Sequence, residues 1–157
     1  MLRAALLFLF LAPQSAAISE IPIQLRGDWK VTRVIPTATI TCWDDSQAKK
    51  LLDTTIHYYA DGFLWNDHVV RNATVNVNTL SAKQFHREYS GGGAADSQVD
   101  FRQLGIRAPD AVVVTVEHDP ANITGGSIEI PGDWVLLKNH DTLILSVCNV
   151  YFEARRR

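Results

Sequence analysis

Long apolar runs are scarce in this sequence of 157 residues. The longest, Ala4 to Ala12, is shorter than the roughly 20 apolar residues that a membrane-spanning helix needs. Basic residues cluster only at Arg155 to Arg157, and a short terminal cluster of this kind is usually solvated. These absences predict no membrane span and no nucleic-acid partner.

The apolar run has the features of an export signal. Arg3 precedes it, and Ser15-Ala16-Ala17 follows with the small residues that signal peptidases require. We therefore expect residues 1–17 to be a signal peptide and residues 18–157 to form a single β-barrel-like domain. The mature protein should be exported, either periplasmic or secreted. A buried N-terminal helix is the less favoured alternative.

Cysteine is nearly absent too. The chain has two cysteines, Cys42 and Cys148, and an oxidising compartment favours their pairing. The long loop that this disulfide closes would stabilise the fold by about 4–5 kcal/mol, an upper-end value for such a bond. The alternative is a pair of buried free thiols.

Motifs for catalysis are missing. The five histidines occur in no metal-ligand motif, no Gly-x-Ser-x-Gly is present, and Gly91 to Gly93 lack the following Lys-Ser/Thr of a phosphate loop. We predict no cofactor and no metal, and the catalytic residues are unknown. His118-Asp119 is better interpreted as a turn than as an acid–base pair. An enzyme with a dispersed carboxylate/histidine site is the alternative function, and its first candidates are Glu88, Asp100 and Glu117.

Alternating apolar residues predict short strands throughout. The first, Asp28 to Ile35, would place Trp29, Val31, Arg33 and Ile35 on one face. The other expected strands are Thr37–Trp43, Thr54–Tyr59, Phe63–Asn66, Val69–Thr79, Ala111–Glu117, Ser127–Ile130, Trp134–Lys138 and one long final strand, Thr142–Phe152.

Two short helices interrupt the strands. Asp44 or Asp45 would cap a helix over Ser46–Leu52, and Ser81 would begin another over Ala82–Tyr89. Frequent turns without parallel crossovers indicate a mainly β, antiparallel barrel or sandwich of about eight strands. Pairing of the first and last strands would hide the edges of the sheet.

Gly27-Asp28-Trp29 on the first strand resembles the Gly-x-Trp motif of the calycins, the lipocalin-like β-barrels. The resemblance implies that an arginine after the last strand packs over the tryptophan, and Arg155 is the position that matches. Gly27, Trp29 and Arg155 would then be structural residues. The segments VCNVYFEARR and FRQLGI also look like those of small exported bacterial proteins of unassigned role.

Aromatic residues are the best guide to function in this sequence. Trp43, Tyr58, Phe63 and Trp65 are candidates to line an apolar ligand site, because such sites combine aromatic walls with few polar groups. Ordinary core packing is the alternative. The predicted function is non-catalytic binding, either of a small apolar ligand in the barrel or of a protein partner, as in hydrolase inhibitors. Asn72 and Asn122 begin glycosylation sequons.

Overall fold

The computed structural model describes residues 20–37, 43–89, 99–118 and 129–157. Over these residues, nine antiparallel strands form one curled sheet, a half-barrel, with two short helices. The predicted fold class is confirmed. Within the described part, no helix has both the length and the apolar character of a membrane-spanning segment.

The elements match most of the predicted segments. The helices are α1 (Asp45–Lys49) and α2 (Ala82–Tyr89). The strands are β1 (Gly27–Ile35), β2 (Thr55–Tyr58), β3 (Phe63–Trp65), β4 (His68–Val70), β5 (Thr74–Ser81), β6 (Asp110–Glu117), β7 (Trp134–Asn139), β8 (Thr142–Val147) and β9 (Val150–Arg156).

The sheet order is β4-β3-β2-β1-β9-β8-β7-β6-β5. Consecutive strands are neighbours except β4 and β5, which are the two edges, and the first strand, β1, pairs with the last, β9. The predicted pairing of the first and last strands is therefore confirmed. This pair lies in the middle of the sheet, however. The two edges are β4 and β5, which the loop at 71–73 connects.

The face assignment predicted for β1 is wrong beyond Val31. Trp29 and Val31 lie opposite Arg156 and Ala154, but the register shifts between Val31 and Arg33. This bulge at Thr32 adds one residue, which moves the following side chains to the opposite face. Arg33 therefore lies opposite Glu153, outside the concave core.

The single final strand is also a wrong prediction, because the segment is a hairpin. Cys148 and Asn149 form its turn, with φ angles of 54° and 61°. Positive φ at both central residues is the geometry of a type I′ turn, which matches the twist of the flanking strands. Such turns usually contain glycine, and neither turn residue here is glycine, so the sequence pattern conceals the break.

Two other strand predictions differ from the structure. Val69–Thr79 is divided at Asn72, whose φ is 51°, into β4 and β5. The strand expected over 127–130 lies partly outside the described residues, and Glu129 and Ile130 belong to no strand. Most of the segment expected at 37–43 is outside the described residues as well.

Both faces of the sheet carry a hydrophobic layer. The concave core contains the largest buried side chains, among them Trp29, Tyr58, Phe63 and Phe152. On the convex face, α2 and the turn at 99–106 cover the half of the sheet from β9 to β5. Adjacent residues of β6 thus face different layers, since Val114 belongs to the concave core and Val113 to the convex layer.

Each helix begins at a side-chain cap. Asp44 accepts from the Gln47 N–H, and the Gln47 side chain accepts from the Asp44 N–H, which makes a capping box for α1. Ser81 and Gln84 make the corresponding bonds at the start of α2. Phe85 then buries its ring against the sheet, so the capped helix is fixed over the convex face.

Candidate binding cleft

The four predicted ligand-binding aromatics lie on the concave side. Tyr58 and Phe63 are fully buried, and their ring centroids are 5.7 Å apart. The Tyr58 hydroxyl donates to the Gly132 carbonyl at 2.7 Å. Trp43 and Trp65 are partly buried against the same core, and Trp65 stacks on His68. Tyr58 and Phe63 therefore serve as core residues in this structure.

The arginine over Trp29 is Arg156, which corrects the predicted Arg155 by one position. The Arg156 guanidinium carbon lies 4.2 Å from the Trp29 ring centroid. Strand alternation explains the difference, because Arg156 pairs directly with Trp29 whereas Arg155 points to the other face, toward Glu153. Gly27, at the start of the strand, has a φ of 112° and lies next to the Arg156 side chain.

A cleft of about 370 Å³ opens between the end of α2 and strands β6 to β9. We call it the aromatic cleft. Tyr89, Trp134 and Tyr151 line it; the Tyr89 and Trp134 centroids are 5.3 Å apart, and those of Trp134 and Tyr151 are 6.4 Å apart. The rings meet at angles of 51° and 84°, so they form walls instead of a stack. Its other lining residues are Glu88, Thr115, Val116, Glu129, Asp133, Ser146 and Asn149.

Carboxylates are also part of the lining of the aromatic cleft. Asp133 is the most buried of them, with a side-chain exposure of 14%, and it accepts hydrogen bonds from the Ile130 N–H at 3.0 Å and from His118 Nε2 at 3.2 Å. Burial raises the pKa of Asp133, and the charge of Glu129 adds to the rise, although the two hydrogen bonds act in the opposite direction. Glu129 itself accepts from the Cys148 N–H.

The loop before β7 is held in place by Gly132. Its φ is 107°, and a β-carbon there would come within 3.0 Å of both Ile56 and the Tyr58 hydroxyl. Only glycine suits a backbone with that φ and that close an approach. Packing of Gly132 on β2 and β3 therefore fixes the position of Asp133. Burial is the main cause that raises the pKa of Tyr58 well above its usual value, and the nearby charge of Asp133 adds to the rise.

Two buried polar groups near this loop have no hydrogen-bond partner among the described residues. They are the Trp134 indole N–H and the His118 Nδ1. Buried donors without acceptors are costly in a folded protein, and the Trp134 N–H belongs to a residue that lines the aromatic cleft.

Burial raises the pKa of Tyr151 to about 12, and the nearby Tyr89 contributes to the rise, so the phenol stays protonated.

A second cleft, of about 350 Å³, lies at the loop that connects β4 to β5. Arg71, Asn72, Glu117 and His118 are among its lining residues, and the His118 side chain is only 8% exposed. His118 thus connects this edge cleft to Asp133. Asn72 is exposed, whereas the other sequon residue, Asn122, lies outside the described residues.

The three carboxylates predicted for an enzyme site are not brought together. Glu88 lines the aromatic cleft and forms an ion pair with Arg87 at 3.1 Å. Glu117 lines the edge cleft, and Asp100 caps a turn by accepting from the Gln103 N–H at 2.8 Å. Asp119, which belonged to the less favoured acid–base interpretation of His118-Asp119, lies outside the described residues. Among the residues described, no group of three or more potential ligands could hold a metal ion.

Asp133 and Trp134 are not among the candidate site residues predicted from the sequence. One signal for them was available: Gly132-Asp133-Trp134 repeats the Gly-Asp-Trp of the first strand. Comparisons with models of protein families, with curated proteins and with solved structures find no match for this chain.

Proposed function

We propose that this protein is an exported, non-catalytic binding protein whose ligand site is the aromatic cleft. One observation carries the proposal: the cleft joins three aromatic walls, Tyr89, Trp134 and Tyr151, to a few polar groups in about 370 Å³. That combination of apolar walls and sparse polar groups is typical of small-molecule sites. The proposal moves the ligand from the concave core, where Tyr58 and Phe63 pack together, to the convex face.

Native mass spectrometry of protein purified from its own host tests this function. Thr115→Tyr places a ring inside the cleft at a strand position, where tyrosine is well tolerated. Thr79→Tyr is the matched control, because Thr79 is an exposed strand residue outside the cleft. We expect wild type and Thr79→Tyr to carry a small molecule that Thr115→Tyr has lost. Wild-type protein with no bound molecule, or retention in Thr115→Tyr, would contradict the proposal.

Hydrolysis is the second candidate function, and the pairing of Asp133 with Glu129 in one cleft favours it. Burial raises the pKa of Asp133, and carboxyl groups in unlike environments supply the acid and the base of many hydrolases. Chromogenic glycosides and esters would serve as substrates. Turnover that Asp133→Asn abolishes and Thr79→Tyr retains would support hydrolysis. No turnover by wild type, or equal turnover by Asp133→Asn, would remove this candidate.

Export and the disulfide belong to the same proposal. The signal peptide that the sequence predicts at residues 1–17 would direct export, and Cys42 would pair with Cys148. Ile35, near the end of β1, lies opposite Tyr151, three residues after Cys148. The chain from Ile35 therefore starts close to the Cys148 turn. Cys42 itself lies outside the described residues.

Kinship with the calycins is also part of the proposal. The fold is a curled antiparallel half-barrel, which is compatible with a calycin-like fold. The contact of Arg156 with Trp29 supports the relationship, since calycins place an arginine over the tryptophan of their first strand.

A further inference from the structure

We infer that the aromatic cleft selects an organic ammonium ion. The inference rests on the proposed function and specifies the ligand class of the same site. It depends on two features of the cleft: its charge and the arrangement of its rings.

The charge of the cleft has one sign. Its described lining contains Glu88, Glu129 and Asp133 but no lysine, arginine or histidine. Arg87 pairs with Glu88, His118 contacts Asp133, and the Cys148 N–H donates to Glu129. The three carboxylates of the described lining therefore favour a cation over an anion.

The rings suit the same ligand. Tyr89, Trp134 and Tyr151 meet at 51° and 84°, which leaves a corner instead of a slot for a flat molecule. Aromatic faces attract ammonium groups through their quadrupoles, and tryptophan does so most strongly. Several rings around one cation form the usual recognition site for quaternary ammonium ions.

The indole N–H serves as a probe of the cleft and not as a ligand contact. The Trp134 Nε1 is buried and has no hydrogen-bond partner among the described residues, so a molecule in the open cleft does not reach it directly. Its NMR signal reports a change in the surroundings of a ring that lines the cleft.

Choline and 3,3-dimethyl-1-butanol make a matched pair of probes, because they share size, shape and hydroxyl and differ in charge. The readout is the indole N–H signal of Trp134 in NMR spectra of the full mature protein, assigned with Trp134→Phe. Choline at up to about 50 mM, the range of weak fragment binding, should shift this signal saturably, and the neutral isostere should bind at least fivefold more weakly. Glu129→Gln should weaken choline about two- to fivefold, whereas Glu20→Gln, the same change on an exposed carboxylate outside the cleft, should have no effect.

The outcomes separate this inference from the proposed function. Equal shifts by both probes, or no shift by choline, would overturn selection of an ammonium ion. A neutral or anionic molecule carried by the native protein and lost in Thr115→Tyr would overturn it too, while the proposed binding function would stand. Wild-type protein that carries no bound molecule would instead contradict the binding function itself.

Discussion

Arg156 and Trp29 form a contact between the first and last strands. The guanidinium lies over the indole, and it also donates to the Arg26 carbonyl at 2.9 Å. Trp29→Ala should cost about 3–5 kcal/mol of unfolding free energy because it empties a core site. Arg156→Ala should cost about 1–2 kcal/mol, and the double variant should be less destabilised than the sum by about 0.5–2 kcal/mol.

Arg155→Ala provides the control for this cycle. Arg155 lies on the opposite face of β9, so its effect should add to that of Trp29→Ala within about 0.5 kcal/mol. Denaturant melts of the variants measure all these free energies. Simple additivity for Arg156 and Trp29 would show that the contact contributes nothing specific.

Glu153 is a buried carboxylate among three cations. Its side chain is 4% exposed and lies within 3.3 Å of Arg33, Lys138 and Arg155. Burial alone would raise the pKa of Glu153, but hydrogen bonds from Arg33 and Lys138 outweigh it and lower the pKa from 4.5 to about 2. The ionised carboxylate therefore stabilises the fold above about pH 4.5, and this stability is lost as the pH falls toward 2.

Glu153→Gln should cost about 2–3 kcal/mol at pH 7, somewhat less than the full linkage value because two of the cations are partly exposed. The variant should also lose the fall in stability between pH 4.5 and 2. Denaturant melts across this pH range measure both effects. Asp53→Asn, at an exposed ion pair with Lys30, should change stability by under about 0.5 kcal/mol. An equal fall with pH in Glu153→Gln and wild type would assign the pH dependence to other groups.

Helix α2 depends on one aromatic residue for its attachment to the sheet. Phe85 is fully buried, and its ring lies 5.1 Å from that of Phe101 and 6.5 Å from that of Trp134. Phe85→Ala should lower stability by about 3–5 kcal/mol. It should also displace Tyr89, one turn further along the helix, from the aromatic cleft.

Denaturant melts and the Trp134 indole NMR signal report these two effects separately. Lys83→Ala, an exposed change on the same helix, should affect neither. A Phe85→Ala protein of near-normal stability with an unmoved Trp134 signal would show that other contacts hold the helix.

Local pattern was sufficient to predict most of the elements. Alternation located most strands, and Ser81 with the Phe85–Tyr89 spacing predicted α2 with its observed bounds. The bulge at Thr32 inserts one residue, and the Cys148-Asn149 turn reverses the chain. Neither was predicted, because neither contains a glycine or a proline. The aromatic cleft could not be predicted, since α2 and Trp134 meet only in the folded sheet. Asp133 gained its role from the packing of Gly132, a contact with residues more than seventy positions away.

The whole sheet depends on the pairing of β1 with β9. This pair joins the two halves of the half-barrel, because β2 to β4 follow β1 on one side and β8 to β5 follow β9 on the other. The turn that begins β9 contains Cys148, a member of the concave core. A bond from Cys148 to Cys42, which follows the last residue of β1 by seven positions in the sequence, would therefore link the central pair of strands covalently.

We expect the mature protein to lack free thiols. Its intact mass under denaturing, non-reducing conditions should be about 2 Da below the dithiol value, which reflects the two hydrogens lost when the S–S bond forms. Reduction should lower the unfolding free energy by up to about 4–5 kcal/mol, because the crosslink restricts the unfolded chain. Cys42→Ser/Cys148→Ser should match the reduced wild type in stability, and reductant should not destabilise it further. Two alkylatable thiols in protein taken from its own compartment would contradict the pairing, and the β1–β9 contact would then rest on non-covalent interactions such as the one between Trp29 and Arg156.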